Sequence, residues 1–303
     1  MKSSVLRTLR AAFSAVCLYA LIAELTFPQT QPEVNKTIPQ TDPQLHLSVN
    51  KAEFRCGEVI PLDLAFTSST HDRYEINMAS YDRSGRMSHE QFLLDPKEGS
   101  SDPLQLYFNS SWGFLGGGLT AFKLLSTSPI SIHLDLNEWV RFDRPGVYRL
   151  TVISHRISDT RDADYPQHAG MEVKSNSIEL QIIAADPTWQ QSELKQILQA
   201  LNRPGPSGGD LRNDPRQAAR MTLRYLGSEE AARELARRLR GEDTRADGGY
   251  MLGLIGSPHR DIGLQEINKL FDAPDFPISD LFLTTMSILP LNLGRKPTPT
   301  IPR

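Results

Sequence analysis

The hydrophobic period of this chain changes once, at Asp186, and that change limits what it can fold into more than any other feature. Before it, apolar residues recur at every second position: Leu45, Leu47 and Val49; Ile60, Leu62, Leu64 and Phe66; Ile130, Ile132, Leu134 and Leu136; Tyr148, Leu150 and Val152; Ile178, Leu180 and Ile182. That spacing predicts strands with one buried face. Asp143, Pro145 and Gly146 mark a turn ahead of Tyr148, because proline presets φ and glycine reaches positive φ. If Tyr148 closes a tyrosine corner, its hydroxyl bonds to nearby backbone. Tyr74 to Met78 adds a strand, and Ser84–Gly85 a hairpin turn. Residues 87–122, broken by Asp95–Pro96, Asp102–Pro103 and Gly116 to Gly118, read as a long connection.

After Asp186 the period becomes helical. Asp186 caps, Pro187 takes the first helical position, and Trp189, Leu194, Ile197, Leu198 and Leu201 follow at helix spacing. Arg203-Pro-Gly-Pro-Ser-Gly-Gly209 breaks that helix and serves as a hinge. A second helix starts at Pro215 and ends before Gly227; Ser228 caps a third that reaches Arg240. On the second helix Arg216, Arg220 and Arg224 fall within an arc of about 80°, at about 100° per residue. Tyr225-Leu-Gly-Ser228 is echoed by Leu254-Ile-Gly-Ser257 at an offset of 29. Pro258 then opens a helix through Leu270, and a further one begins at Ile278. A self-similar helix pair predicts stacked antiparallel helices, ending in an open face with no capping helix.

The first residues supply an address. Lys2, Arg7 and Arg10 precede an apolar run from Ala11 to Ala23 that Glu24 interrupts, which is the pattern of an export signal. The run is short for a membrane span, which needs about 20 apolar residues, so residues 1–27 read either as a cleaved signal peptide or as a retained N-terminal membrane anchor. Secretion, the periplasm or the cell envelope is the expected location. Residues 28–43 are rich in Pro, Gln and Thr and read as a linker. The two cysteines are Cys17, inside the signal, and Cys56, so a cleaved chain has no intrachain disulfide. A net charge of −3 gives no pull toward nucleic acid.

Two resemblances follow. Asp214-Pro-Arg-Gln-Ala-Ala-Arg-Met-Thr-Leu-Arg-Tyr-Leu-Gly-Ser-Glu-Glu-Ala-Ala-Arg-Glu-Leu resembles the short-period HEAT-like repeats first associated with phycobilisome lyases, which implies an interaction surface and no lyase chemistry. Phe54-Arg-Cys-Gly-Glu-Val-Ile-Pro-Leu and Phe142-Asp-Arg-Pro-Gly-Val-Tyr-Arg-Leu are similar to segments of exported immunoglobulin-like and macroglobulin-like sandwich domains. Leu150 stands where the immunoglobulin pattern has its second cysteine, so no inter-sheet disulfide is implied. The expected fold class is therefore multidomain all-β plus all-α: an immunoglobulin-like β-sandwich over 44–185, a connecting helix and hinge over 186–209, a short HEAT-like α-solenoid over 210–290, and a disordered tail over 291–303.

The chain offers little to suggest chemistry. His133, Asp135 and Glu138 are the densest acid–histidine set, but alternation alone places polar residues there opposite Ile132 and Leu134. Asp159 to Asp164 lacks the spacing and glycine of a calcium loop. Neither Gly-x-Ser-x-Gly nor His-Glu-x-x-His occurs. The expectation is a non-enzymatic binding or scaffold protein of the cell envelope, with no cofactor and no metal, whose partner is another envelope or secreted protein. The candidate partner surface is Arg216, Arg220 and Arg224, because residues 212–240 carry eight arginines against four acids. The alternative is a proteinase-inhibitor-like or enzyme-accessory module acting through the sandwich.

Overall fold

Alternation builds the first layer. In the computed structural model, which describes residues 42–79, 86, 88–109, 121–162, 170–204, 215–239, 244–270 and 280–289, the strands are β1 (Gln44–Val49), β2 (Glu53–Arg55), β3 (Pro61–Thr67), β4 (Tyr74–Asn77), β5 (Glu90–Asp95), β6 (Ser100–Ser101), β7 (Phe122–Leu124), β8 (Ile130–Asp135), β9 (Arg141–Phe142), β10 (Gly146–Asp159) and β11 (Met171–Ile183). A short helix α1 (Gln105–Asn109) and a 3-10 turn, Leu136–Glu138, interrupt them. The period-two residues point inward: Leu47, Leu62, Leu64, Phe66, Leu150, Leu180 and Ile182 all lie in one buried cluster. Each such side chain contributes roughly 1.5–3 kcal/mol by leaving water.

Nine strands join in one sheet, in the order β7-β4-β10-β11-β1-β3-β8, with β5 also on β10 and β2 also on β11; β6 and β9 form a separate pair. The β1–β11 and β2–β11 pairs are parallel and the others antiparallel. β10 has 14 residues and β11 has 13, long enough to serve several neighbours along their length. Their ladder shifts register between Thr151 and Ile153 and again between Ser154 and Ile157. Bulges of that kind bend a strand and raise its twist, and at the second shift Arg156 and Ile157 are buried in succession. The sheet curls around its own core.

Six further helices form the second layer: α2 (Pro187–Leu201), α3 (Pro215–Tyr225), α4 (Glu229–Arg238), α5 (Thr244–Gly256), α6 (Arg260–Leu270) and α7 (Asp280–Ile288). The Asp186 carboxylate accepts from the Trp189 N–H, and the Ser228 hydroxyl from the Ala231 N–H, so both caps form as the sequence predicts. α3 packs on α2 and α5, α4 on α5 and α6, and α5 on α7. Gly253 permits close packing of α5, since a Cβ there would meet Leu235 Cδ2 at 2.8 Å and Arg224 Cγ at 2.9 Å.

The expected fold class needs correction in both halves. No immunoglobulin-like β-sandwich of two separate facing sheets forms, because β11 pairs with β10 and also accepts β1 and β2 as parallel neighbours, which joins nine strands in one sheet. Alternation reports one buried face and is the same for a sandwich and a curled sheet. Nor do the helices make a HEAT-like α-solenoid. They are short, 9 to 15 residues, and their core takes in Leu104 and Tyr107 from the β part. Residues 41–303 cluster as one compact unit rather than as a sandwich and a separate array. The export signal, most of the 28–43 linker and the 291–303 tail lie outside the described residues.

At the turn before β10, the buried Tyr148 hydroxyl donates to the Arg144 carbonyl at 2.9 Å and lies 3.4 Å from that of Gly99. Tyr148→Phe should lower stability by about 1 kcal/mol, the net worth of one such bond, measured as a lower urea midpoint with an unchanged slope.

Candidate functional site

The two layers meet at a buried carboxylate. The 3-10 turn after β8 carries Glu138, whose side chain is 10% exposed, and α3 delivers Arg224, whose side chain is 7% exposed. Both terminal nitrogens of Arg224 donate to Glu138, each at 2.8 Å, and the Tyr225 hydroxyl donates to Glu138 Oε1 at 2.6 Å. Beside it Asn137 Nδ2 donates to the Glu58 carbonyl and its Oδ1 accepts from the Ile60 N–H, fixing the turn to β3. Burial pushes the Tyr225 hydroxyl well above its usual range, partly opposed by Arg224 and reinforced by Glu138. Burial acts to lower Arg224, but Glu138, Tyr225 and Asp135 outweigh it and raise its pKa, so the guanidinium stays charged.

Further contacts close this junction. Arg141 of β9 donates through Nη1 to the Gly256 carbonyl at 2.6 Å, the last residue of α5. Gly57, at φ +82°, lies against the end of α3, where a Cβ would sit 2.4 Å from the Leu226 carbonyl oxygen. A cavity of about 30 Å³ remains between Ile60, Asn137, Val140, Arg224 and Tyr225. That is room for one or two waters. The junction is a structural joint, held by the Glu138, Arg224 and Tyr225 hydrogen bonds.

The open concavity lies elsewhere, on the outer face of β1, β3 and β8. Register places Ser48 opposite Asp63 and Asp63 opposite His133, and one step along it sets Pro61 opposite Asp135. These residues and Asn50 line a groove of about 540 Å³. His133 is 79% exposed, with its Nδ1 3.4 Å from Asp63 Oδ1. Burial raises the pKa of Asp135, with the Glu138 charge adding to it and Arg224 opposing. The described residues contain no group of three or more ligands able to hold a metal ion.

β8 ends the sheet, bonded to β3 alone among the described strands. The Leu136 N–H donates to the Ile60 carbonyl, so hydrogen-bonded pairs fall at Leu134, Ile132 and Ile130 in turn. The backbone N–H and C=O groups of Ser131 and His133, and the N–H of Asp135, therefore point away from β3, to the side where no described strand pairs, while the Asp135 carbonyl starts the 3-10 turn.

A second buried ion pair lies at the far end of β10. Arg156 and Glu90 are both fully buried and joined through two guanidinium nitrogens, with Arg156 also donating to the Asn77 and Ala79 carbonyls. Its neighbour His89 is pushed down to about 4 by burial, by the Arg156 charge and by His155. This cluster ties β4, β5 and β10 together.

The arginines predicted as a partner surface are thus divided. Arg224 is turned into the joint, while Arg216 and Arg220 stay partly exposed, Arg220 donating to Gln217 at 3.1 Å. Of the three, only Arg224 meets Glu138. Of the acid–histidine set, His133 and Asp135 share the outer groove and Glu138 is withdrawn into the joint. Ser48 and Asp63 were not singled out, since only strand register brings them beside His133. Cys56 is half-buried, and burial followed by the Asp143 charge pushes its thiol up, as for a packing residue. No protein-family model matches the chain, and no curated protein matches it.

Two outcomes are expected. Glu138→Gln should cost about 3–5 kcal/mol in urea unfolding, because it leaves the Arg224 charge buried without its counter-ion, whereas Glu138→Leu with Arg224→Met should recover most of that loss. For His89, whose ordinary value is 6.5, the folded state disfavours the proton. Unfolding takes up a proton between pH 6.5 and about 4, so stability falls as pH falls through that window. His89→Gln should flatten this slope, read as the urea midpoint at pH 7 against pH 4.5.

Proposed function

We propose that the chain is a non-enzymatic binding or scaffold protein of the cell envelope, and that it engages its partner at the edge of β8 left unpaired among the described strands, beside the outer groove. The observation that carries this reading is the edge itself: three consecutive outward-facing backbone positions, Ser131, His133 and Asp135, bordering a concavity of about 540 Å³. An unpaired edge of this kind offers main-chain hydrogen bonds to an extended segment of another protein, with side-chain pockets at alternate positions supplying selectivity. The joint at Glu138 supports it by holding β8 and its following turn rigidly, which lowers the ordering cost of binding. Export is supported by the Lys2, Arg7 and Arg10 cluster ahead of the Ala11 to Ala23 apolar run. No helix among the described residues is long and apolar enough to cross a membrane.

Proline separates a binding edge from an inert one. The Ser131 N–H faces the open side, so Ser131→Pro removes no bond to β3 but blocks strand addition. In cells of the native host, a photo-crosslinking side chain at position 133 should give one discrete protein adduct that Ser131→Pro abolishes, with a stability change of no more than about 0.5 kcal/mol. An adduct that survives Ser131→Pro, or none at all, overturns the reading.

A further inference from the structure

We infer that the segment received at the β8 edge is cationic: an extended peptide with lysine or arginine at alternate positions, those side chains lying over Asp63 and Asp135. This rests on the reading of β8 as the binding edge and adds the chemistry of the occupant. An added strand continues the rows already laid across the sheet, so its alternate side chains fall on the same outer face as Ser48, Asp63 and His133, and as Pro61 and Asp135. The ionisable groups lining that groove are two carboxylates and one imidazole. Asp63 Oδ1 is shielded from solvent and accepts no hydrogen bond among the described residues, its nearest cationic group being His133 Nδ1 at 3.4 Å. The rest of the Asp63 side chain, which is 39% exposed, is what the groove offers to a donor from outside.

Asp135 favours the same partner. It stands partly buried, with the Glu138 carboxylate acting against its ionisation from the inner side and Arg224 already committed to Glu138. A cation arriving from the groove side supplies the missing counter-charge, since an opposite charge within about 4–6 Å favours the ionised carboxylate. A peptide with acidic side chains at those positions meets two carboxylates in a half-enclosed space, where repulsion is less screened than on open surface.

The test uses the full chain labelled with nitrogen-15 and two blocked pentapeptides, one alternating threonine with lysine and one alternating threonine with glutamate. The lysine peptide should shift the amide resonances of Ser131, His133 and Asp135 at a concentration at least tenfold below that needed for the glutamate peptide. In Asp63→Asn with Asp135→Asn, this tenfold preference should disappear. Equal binding of both peptides at these amides leaves the edge in place but overturns the cationic inference. Shifts confined to other elements, or no shift with either peptide, overturn both readings. A lysine peptide that is N-methylated at alternate amides and binds as well as the parent overturns strand addition as the mode.

Discussion

The carboxylate of Glu138 takes a two-pronged guanidinium and a phenol hydroxyl, and the meeting of the two layers depends on it. Withdrawing two charges from water carries a penalty of several kcal/mol per ion, which close geometry and further hydrogen bonds offset only when every partner is present. Such a contact adds little net stability over an apolar pair, but it is unforgiving of misplacement. The helical layer can therefore settle in one position on the sheet, with Arg224 Cγ also set against Gly253 on α5. Arg156 and Glu90 repeat the device at the other end of β10, inside the sheet instead of between layers.

Between these two ion pairs the sheet is held by length and bending. β10 and β11 reach β1, β2, β4 and β5, and their bulges turn the ladder so that one apolar face closes on itself. Pro61 shows how the edge side is arranged. It lies beyond Val49, the last residue of β1, so its missing N–H costs no bond to that strand. The partner side of β3 belongs to β8, and beyond β8 no described strand continues the ladder.

Much of the element content was legible in the sequence, because period and capping are local. Leu62, Leu64 and Phe66 announce a strand, and Asp186 with Pro187 announces a helix start. α5 was less visible because Gly248 and Gly249 fall inside it, where glycine costs about 1 kcal/mol each against alanine. The arrangement was not legible. A curled sheet and a sandwich share the same alternation, and the echo between Tyr225 and Leu254 cannot tell two short packed helix pairs from the start of a solenoid. The candidate site was half visible: His133 and Asp135 share a face by counting, but Asp63 joins them only through the β3–β8 register. Arg224 misled because an arc of charge on a helix reads as wet unless its counter-ion, 86 residues away, is known.

The hydrogen bond from Arg141 to the Gly256 carbonyl has a consequence for how this chain could be divided. The end of α5 is closed by a side chain from β9, and the charge on α3 is answered from the turn after β8, so the helices borrow both from sequence that precedes them by about a hundred residues. A fragment beginning at Asp186 would carry α2 to α7 and neither donor nor counter-ion. The change of hydrophobic period at Asp186 is thus a boundary of pattern and not of folding: the helices are the later-made part of a body that the strands must complete.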